Sequence, residues 1–355
     1  MRILGLFKMG RFGKMPSGQR LTTIQQSPNY REGAFHNQRE TPQLTDGGTY
    51  SKIIRQMLFG KPKRSKPQGV IPSVKTDLLH LDQNDNCLVW FGHSSYFMQI
   101  DGKRFLVDPV FSGSASPFSF MTQAFKGTDI YTTDDLPAID YLFLSHDHYD
   151  HLDYKTIKQL NSKVSTVICA LGTGEHLEYW GYDPSKIIEL DWHQQIDLEP
   201  GFTVHTISAR HFSGRWFKRN QALWTSFVLQ TPGYRIFLGG DSGYDKHFAE
   251  TGNRFGGFDL AILENGQYNK YWKHIHLMPY EILQAAKDLK AKRIFPVHNS
   301  KFALGPHDWD EPLKLITENN KKEKLNVITP MIGEKVELAN VEQVFTEWWK
   351  NVGKQ

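Results

Sequence analysis

The sequence predicts an α/β fold of stacked β-sheets with helices on the outside. Three observations carry this. Eleven short apolar runs are bounded by Gly, Pro, Asp or Asn; helical patterns lie between some of them; and strands outnumber helices in a region that mixes both throughout. Periodicity alone leaves the strand order open.

The elements follow in chain order. Residues 1–73 are rich in Gly, Pro, Gln and Arg and read as an extension that wraps the main domain or lies at its edge. One amphipathic stretch, "YSKIIRQMLFG", interrupts it, and the prolines and like charges of "GKPKRSKPQGVIPS" oppose regular structure, as in a linker. The domain itself spans 74–355. Its strand candidates are "CLVWFGH", "YFMQI", "KRFLVDP", "DYLFLSH", "TVICAL", "KIIEL", "FTVHTISA", "TSFVLQT", "YRIFLGG", "LAILENG" and "KRIFPVH". "DYKTIKQL" predicts a helix with Asp153 as N-cap. "MPYEILQAAKDLKA" predicts another, with Pro279 near its first turn and Ile282, Ala285, Ala286 and Leu289 on one face.

Composition sets bounds. At 355 residues, one large domain or two smaller ones can bury a core. No apolar stretch approaches the roughly 20 residues of a membrane-spanning helix. The N-terminal run "ILGLF" is shorter than the ~7–15 residues of a secretory signal core. A cytoplasmic protein with peripheral membrane contact is expected, and export stays open. Two cysteines, Cys87 and Cys169, lie in apolar runs and are expected as packed thiols, which excludes a disulfide framework or a Cys-rich zinc ribbon. Residues 1–70 hold 13 Lys/Arg against 3 Asp/Glu, a balance of +10, and the remainder (29 against 35) carries −6. Such a basic arm attracts phosphates of lipid or nucleic acid, or is a solvated extension.

The stretch "SHDHYDHLD", Ser145 to Asp153, places three imidazoles and three carboxylates directly after the apolar run "YLFL". On extended backbone, His146 and His148 point the same way and can meet one ion, while Asp150 and His151 suit a second. The remaining ligands should come from other strand ends. His211 follows "FTVHTISAR", Asp241 follows "YRIFLGG" and His298 follows "KRIFPV". Singly, each is more often a cap or a turn. Together with the cluster they assemble a dinuclear site: His146, His148 and His211 for one ion, Asp150, His151 and His298 for the other, and Asp241 bridging. Imidazole and carboxylate ligands suit zinc, with iron or manganese admitted by the same set.

On these residues the chain resembles the metallo-β-lactamase superfamily over about 80–340. The resemblance implies a four-layer αββα sandwich with metals at one edge of two packed sheets. Longer stretches, among them "VWFGHSSYFMQIDGKRFLVDPVF", "ARHFSGRWFKRNQALWTSFVL", "GGDSGYDKHFAETGNRFGGFDLAIL" and "HLMPYEILQAAKDL", resemble the N-acylphosphatidylethanolamine-hydrolysing phospholipase D family. That likeness implies substrate contacts from Tyr149 and His276 and a further required aspartate, Asp108, expected behind a ligand. It implies catalytic roles for Asp150, Asp241 and His276. It departs from the family at "NGQYNKYW" (Asn265 to Trp272), where members often read "GAYEPRW", and at Asn299 and Ser300, where they often have Trp-Gly.

The implied reaction is hydrolysis of a phospholipid on its headgroup side, giving phosphatidic acid and an N-acylethanolamine. Two divalent cations, expected as zinc, would lower the pKa of a shared water. The alternatives are a lactonase resembling L-ascorbate-6-phosphate lactonase, or another metal-dependent phosphodiesterase or nuclease. Nucleic acid is disfavoured, since no aromatic-interleaved basic stripe surrounds the motifs. A binding module that had lost catalysis should lack a ligand, and none of the seven is missing. A phospholipid surface would be met by the basic arm, "ILGLF" and the aromatic-rich "VFTEWWKNV". For Phe345, Trp348 and Trp349, packing on the core or on a second copy in a homodimer is the competing expectation. His93 in "FGHSS" is read as a hydrogen-bonding residue, and His80, His193, His205, His247, His274 and His307 as structural or surface groups.

Overall fold

The computed structural model describes residues 10–60, 62–215 and 217–353; "ILGLF" lies outside them. The N-terminal segment carries α1 (Gly18–Gln25), the short pair β1 (Tyr30–Arg31) and β2 (Ala34–Phe35), and α2 (Tyr50–Phe59). A first sheet then builds from β3 (Cys87–Trp90), β4 (Tyr96–Ile100), β5 (Lys103–Val107), β6 (Ile139–Leu144), β7 (Val164–Ala170) and β8 (Ile187–Leu190), with α3 (Tyr154–Leu160) and α4 (Gly174–Tyr179) in the later connections. The second sheet follows: β9 (Gln195–Glu199), β10 (Phe202–Ser208), β11 (Thr225–Gln230), β12 (Arg235–Leu238), β13 (Leu260–Glu264) and β14 (Ile294–Val297). Around it lie α5 (His247–Phe255), α6 (Ile282–Asp288) and α7 (Glu311–Glu323). The chain finally returns to the first sheet as β15 (Lys335–Glu337), giving the orders β15-β3-β4-β5-β6-β7-β8 and β14-β13-β12-β11-β10-β9.

Alternation along each strand explains the layers. Leu88, Trp90, Met98, Phe105 and Phe143 point inward and meet Val204, Phe227, Leu229, Ile236 and Ile262 of the other sheet. Their neighbours Val89, Phe91, Phe97, Leu106 and Leu142 point outward onto Ile157, Leu160 and Leu177. On the far side, Val228, Phe237, Ala261 and Leu263 pack against Phe248, Ile282, Ala285, Ala286 and Leu289. Both faces of both sheets are covered, so the strands read as apolar runs. This is the αββα sandwich.

Three sequence expectations are settled locally. Asp153 caps α3 by accepting from the Lys155 backbone N–H. Trp348 and Trp349 are buried in the inter-sheet core, and the Trp348 indole donates to the Pro330 carbonyl. Those two rings therefore do not face a membrane, because the core claims their area. Cys87 and Cys169 are free and buried, as expected of packed thiols.

The described part of the N-terminal segment lies along the domain. Arg20 reaches Glu175, Glu178 and Glu189, while Ile24 and Phe35 pack with Leu171, Trp192 and Trp224. Among its described residues the proline-rich stretch before the domain forms no helix or strand, yet it is anchored: Arg64 pairs with Asp308 and Asp310, and Ile71 is buried.

Candidate metal centre

Strand direction gathers the ligands. β10, β12, β13 and β14 run the same way, as do β5 to β8, so the chain leaves these strands at shared ends. His146 follows β6, His211 follows β10, Asp241 follows β12 and His298 follows β14. The turn into Asp241 needs Gly240, which has φ +58 and whose missing Cβ would lie 2.9 Å from the Ser145 Cβ. Positive φ also occurs at His93 (55), Asp108 (41) and His298 (65), a concentration of costly backbone where side chains must be aimed.

The structure brings all seven expected ligands together. In the first group His146 Nε2 lies 2.9 Å from His148 Nδ1, which lies 3.3 Å from His211 Nε2. In the second, the Asp150 carboxylate lies 3.5 Å from His151 Nε2 and 3.3 Å from His298 Nε2. Asp241 Oδ2 stands between the groups, 3.9 and 3.7 Å from His146 and His211 and 3.3 and 3.2 Å from His151 and His298. Two donors about 2.0–2.1 Å from a tetrahedral ion are separated by roughly 3.3 Å, so these spacings match ligands facing a common cation.

The far nitrogens of most rings are held. His151 Nδ1 lies 2.8 Å from Asp108 Oδ2 and His211 Nδ1 lies 2.7 Å from the Ile275 carbonyl, while His146 Nδ1 meets Ser145 Oγ at 2.9 Å. Each bond turns the other nitrogen inward as a ligand. His151 Nε2 and Asp241 Oδ1 are buried without a hydrogen-bond partner, the mark of groups built for an ion. The donor set therefore fits divalent metals.

Electrostatics divide the two groups. Burial holds His146 and His211 well below the ordinary imidazole range and lowers His148 as well, keeping all three neutral. Burial opposes charge on His151 and His298 too, but Asp241 and Asp150 outweigh it. His151 is raised well above the ordinary range and His298 to about 10. Burial likewise opposes ionisation of Asp150 and Asp241, yet the facing histidines hold both carboxyls well below the carboxylate range. Each carboxylate is thus ionised, and the protons beside them mark where positive charge is wanted.

The other expected residues fall around this centre. Asp108 is buried and also accepts from the Ser145 N–H and hydroxyl. The His276 ring lies 5.0 Å from that of His211 and 5.4 Å from that of His298. It is one of the few site groups reaching the surface, with His148, Tyr149 and Asp150. Tyr149 donates its hydroxyl to the Arg215 carbonyl and packs its ring under the Arg215 guanidinium, at 4.2 Å. That ring also lines a cavity of about 130 Å³ with Arg11, Asp153, Lys155, Arg215 and several serines. Asn299 and Ser300 build the scaffold: the Asn299 amide donates to the Asn265 and Val297 carbonyls, and Ser300 bonds Asn299.

Glu264 escaped the sequence reading, and His93 is the hydrogen-bonding residue expected of it. Glu264, the buried last residue of β13, lies 2.7 Å from His276 Nδ1 and 3.5 Å from His298 Nδ1, and accepts from the N–H of Ser242 and Leu277. Its only signal was a carboxylate ending an apolar strand, as Asp241 does. His93 is fully buried and lies 2.9 Å from Asp150 Oδ2, behind that ligand.

Comparison with known proteins agrees with this fold. Residues 103–299 match a family described as a beta-lactamase superfamily domain. An uncharacterised protein of Mycobacterium tuberculosis is 36% identical over 330 residues, 92% of this chain and 88% of its own length. The mitochondrial N-acyl-phosphatidylethanolamine-hydrolyzing phospholipase D of Saccharomyces cerevisiae is 33% identical over 261 residues, covering 69% of this chain and 52% of that protein. Among solved structures, a metallo hydrolase from Ignicoccus hospitalis superimposes with a TM-score of 0.56 at 18% identity, over 71% of this chain and 98% of its own. At that identity the likeness speaks to the fold.

Proposed function

Since the chain belongs to the metallo-β-lactamase superfamily and is a metal-dependent hydrolase, we propose that it is a phosphodiesterase of phospholipase D type acting on N-acylphosphatidylethanolamine-like lipids. One observation carries the proposal: His276, presented by Glu264, stands at the mouth of a centre with donors for two ions. His146, His148 and His211 would hold one ion, Asp150, His151 and His298 the other, and Asp241 both. Bound divalent ions, taken as zinc, would acidify water and stabilise negative charge on oxygen.

The chain's own groups supply the rest. Asp150 and Asp241 face the same space and orient water by accepting its hydrogens. Water oxygen bonds phosphorus and the P–O bond on the headgroup side breaks. The leaving alkoxide takes a proton and departs as N-acylethanolamine, and phosphatidic acid remains. Glu264 accepts from His276 Nδ1–H, which leaves the Nε2 lone pair to take the proton that the attacking water gives up and to pass it to the leaving alkoxide; while protonated, Nε2 also hydrogen-bonds the phosphate.

Lipid access is supported by α2, which exposes Tyr50, Ile54 and Phe59 and donates no span: among the described residues no helix is long and apolar enough to cross a membrane. The helix sits near the mouth, with Arg219 over the rings of Tyr50 and Phe212 and Phe212 4.6 Å from His148. The cavity at Tyr149, with Arg11 and Lys155 in its lining, favours a second reading, a phosphorylated lactone whose phosphate meets those two cations.

The metal-loaded protein should release phosphatidic acid and N-acylethanolamine from vesicles of N-acylphosphatidylethanolamine and leave a phosphorylated sugar lactone intact. His276→Ala should keep its metal and lose turnover by about 10²–10⁴-fold. Lactone hydrolysis without lipid cleavage overturns the proposal.

A further inference from the structure

His211 lies beyond the last residue of β10, in the irregular segment before β11, where no strand pairs with its backbone. The bonds a neighbouring strand would supply come instead from one side chain of the N-terminal segment. Asn37 Nδ2 donates to the His211 carbonyl at 2.8 Å, and Asn37 Oδ1 accepts from the His211 N–H at 3.1 Å. The same oxygen accepts from the indole of Trp224 at 3.1 Å, which fixes which way the amide faces. The ring of His211 is held separately, by the Ile275 carbonyl at Nδ1.

Asn37 is itself placed by packing. Phe35, two residues earlier, is buried against Trp192 and Trp224, and its N–H donates to the Asn220 carbonyl. Further along, Arg210 bonds Thr41 and the Glu40 carbonyl, so the segment crosses the His211 loop on both sides of the amide. Arg20, in the ion cluster with Glu175 and Glu189, pins α1.

We infer that Asn37 is a positioning residue for the three-histidine ion, through its two hydrogen bonds to the backbone of His211. The N-terminal segment is then a working part of the metal centre, although all seven ligands lie more than a hundred residues further on. A ligand whose backbone drifts no longer offers its nitrogen at the distance its partners set, and loss of such outer support typically costs about 10–100-fold in metal affinity. The inference rests on the two-ion reading above.

The test is a titration of metal-stripped protein with Zn²⁺ against a chelating indicator, using the full chain. Wild type should take two equivalents. Asn37→Ala should bind the equivalent that His211→Ala loses about 10–100-fold more weakly, and the other unchanged. Gln38→Ala removes side-chain contacts of the next residue to His193 and Ser208 and should match wild type. Should Asn37→Ala fail to fold, Asn37→Asp keeps the acceptor for the His211 and Trp224 N–H groups but sets a carboxylate oxygen against the His211 carbonyl, and should weaken that same equivalent and not the other. The inference is overturned if the Asn37 variant binds both equivalents like wild type, weakens both alike, or is matched by Gln38→Ala. A wild type taking fewer than two equivalents refutes the two-ion reading instead.

Discussion

Asp108 shows how much one carboxylate decides. It accepts from the Ser145 N–H through one oxygen and from the Ser145 hydroxyl and the His151 ring through the other, so it sets the proton on His151 Nδ1 and frees Nε2. Asp108→Asn keeps the size but offers an N–H where an acceptor was needed, favouring the tautomer that protonates Nε2. The variant should lose about 10–100-fold in affinity at the His151 half, read as metal retained after dialysis against a mild chelator. Retention equal to wild type would show that the bond does not orient the ligand. Four of the seven expected ligands were legible because they crowd into one nine-residue motif, and His211, Asp241 and His298 because each is a His or Asp where an apolar strand stops; Asp108 came only with the family resemblance. Glu264 was not legible, since glutamate is common and no spacing ties it to His276; Asn37 was not, since an amide far upstream carries no metal signature.

At the scale of elements, legibility follows burial. All eleven apolar runs are strands because both faces of each sheet are covered. The missed strands are β9, "QIDLE", and β15, "KVE", each at the edge of its sheet and partly exposed, together with the two-residue pair β1 and β2. α7 hid for a related reason: its buried stripe is only Pro312, Leu313 and Ile316. The turn that links β12 to the centre leaves no room for a side chain. Gly240→Ala places a methyl 2.9 Å from the Ser145 Cβ and 3.2 Å from the Thr225 carbonyl oxygen, on a residue with positive φ. Destabilisation of about 1–3 kcal/mol in denaturant unfolding is expected, with weaker metal binding because both Asp241 and Ser145 must shift. A variant as stable as wild type would mean that the turn can relax without moving the ligand.

For the molecule as a whole, the buried histidines make folding depend on pH from two sides. His93 and His247 are lowered, chiefly by burial, to about 3 and about 4. Below the unfolded value of about 6.5 the unfolded chain binds protons that these two refuse, so stability falls as pH drops from there toward 4, by about 1.4 kcal/mol per pH unit per proton. His151 and His298 act oppositely. Burial resists their charge, but Asp241 and Asp150 raise both, His298 to about 10, so in the metal-free chain their contribution is complete below about 6.5 and is lost as pH rises toward 10. Metal-free protein should therefore show a stability maximum near pH 6.5. A divalent ion needs the lone pairs those protons occupy, so loading at pH 7 should release protons and abolish the alkaline decline while leaving the acid limb in place. Denaturant unfolding from pH 4.5 to 9.5, with and without Zn²⁺, together with calorimetric binding in buffers of different ionisation enthalpy, checks both halves. An alkaline limb that persists in the loaded protein, or binding without proton release, would mean that the carboxylate half is not where the ion sits.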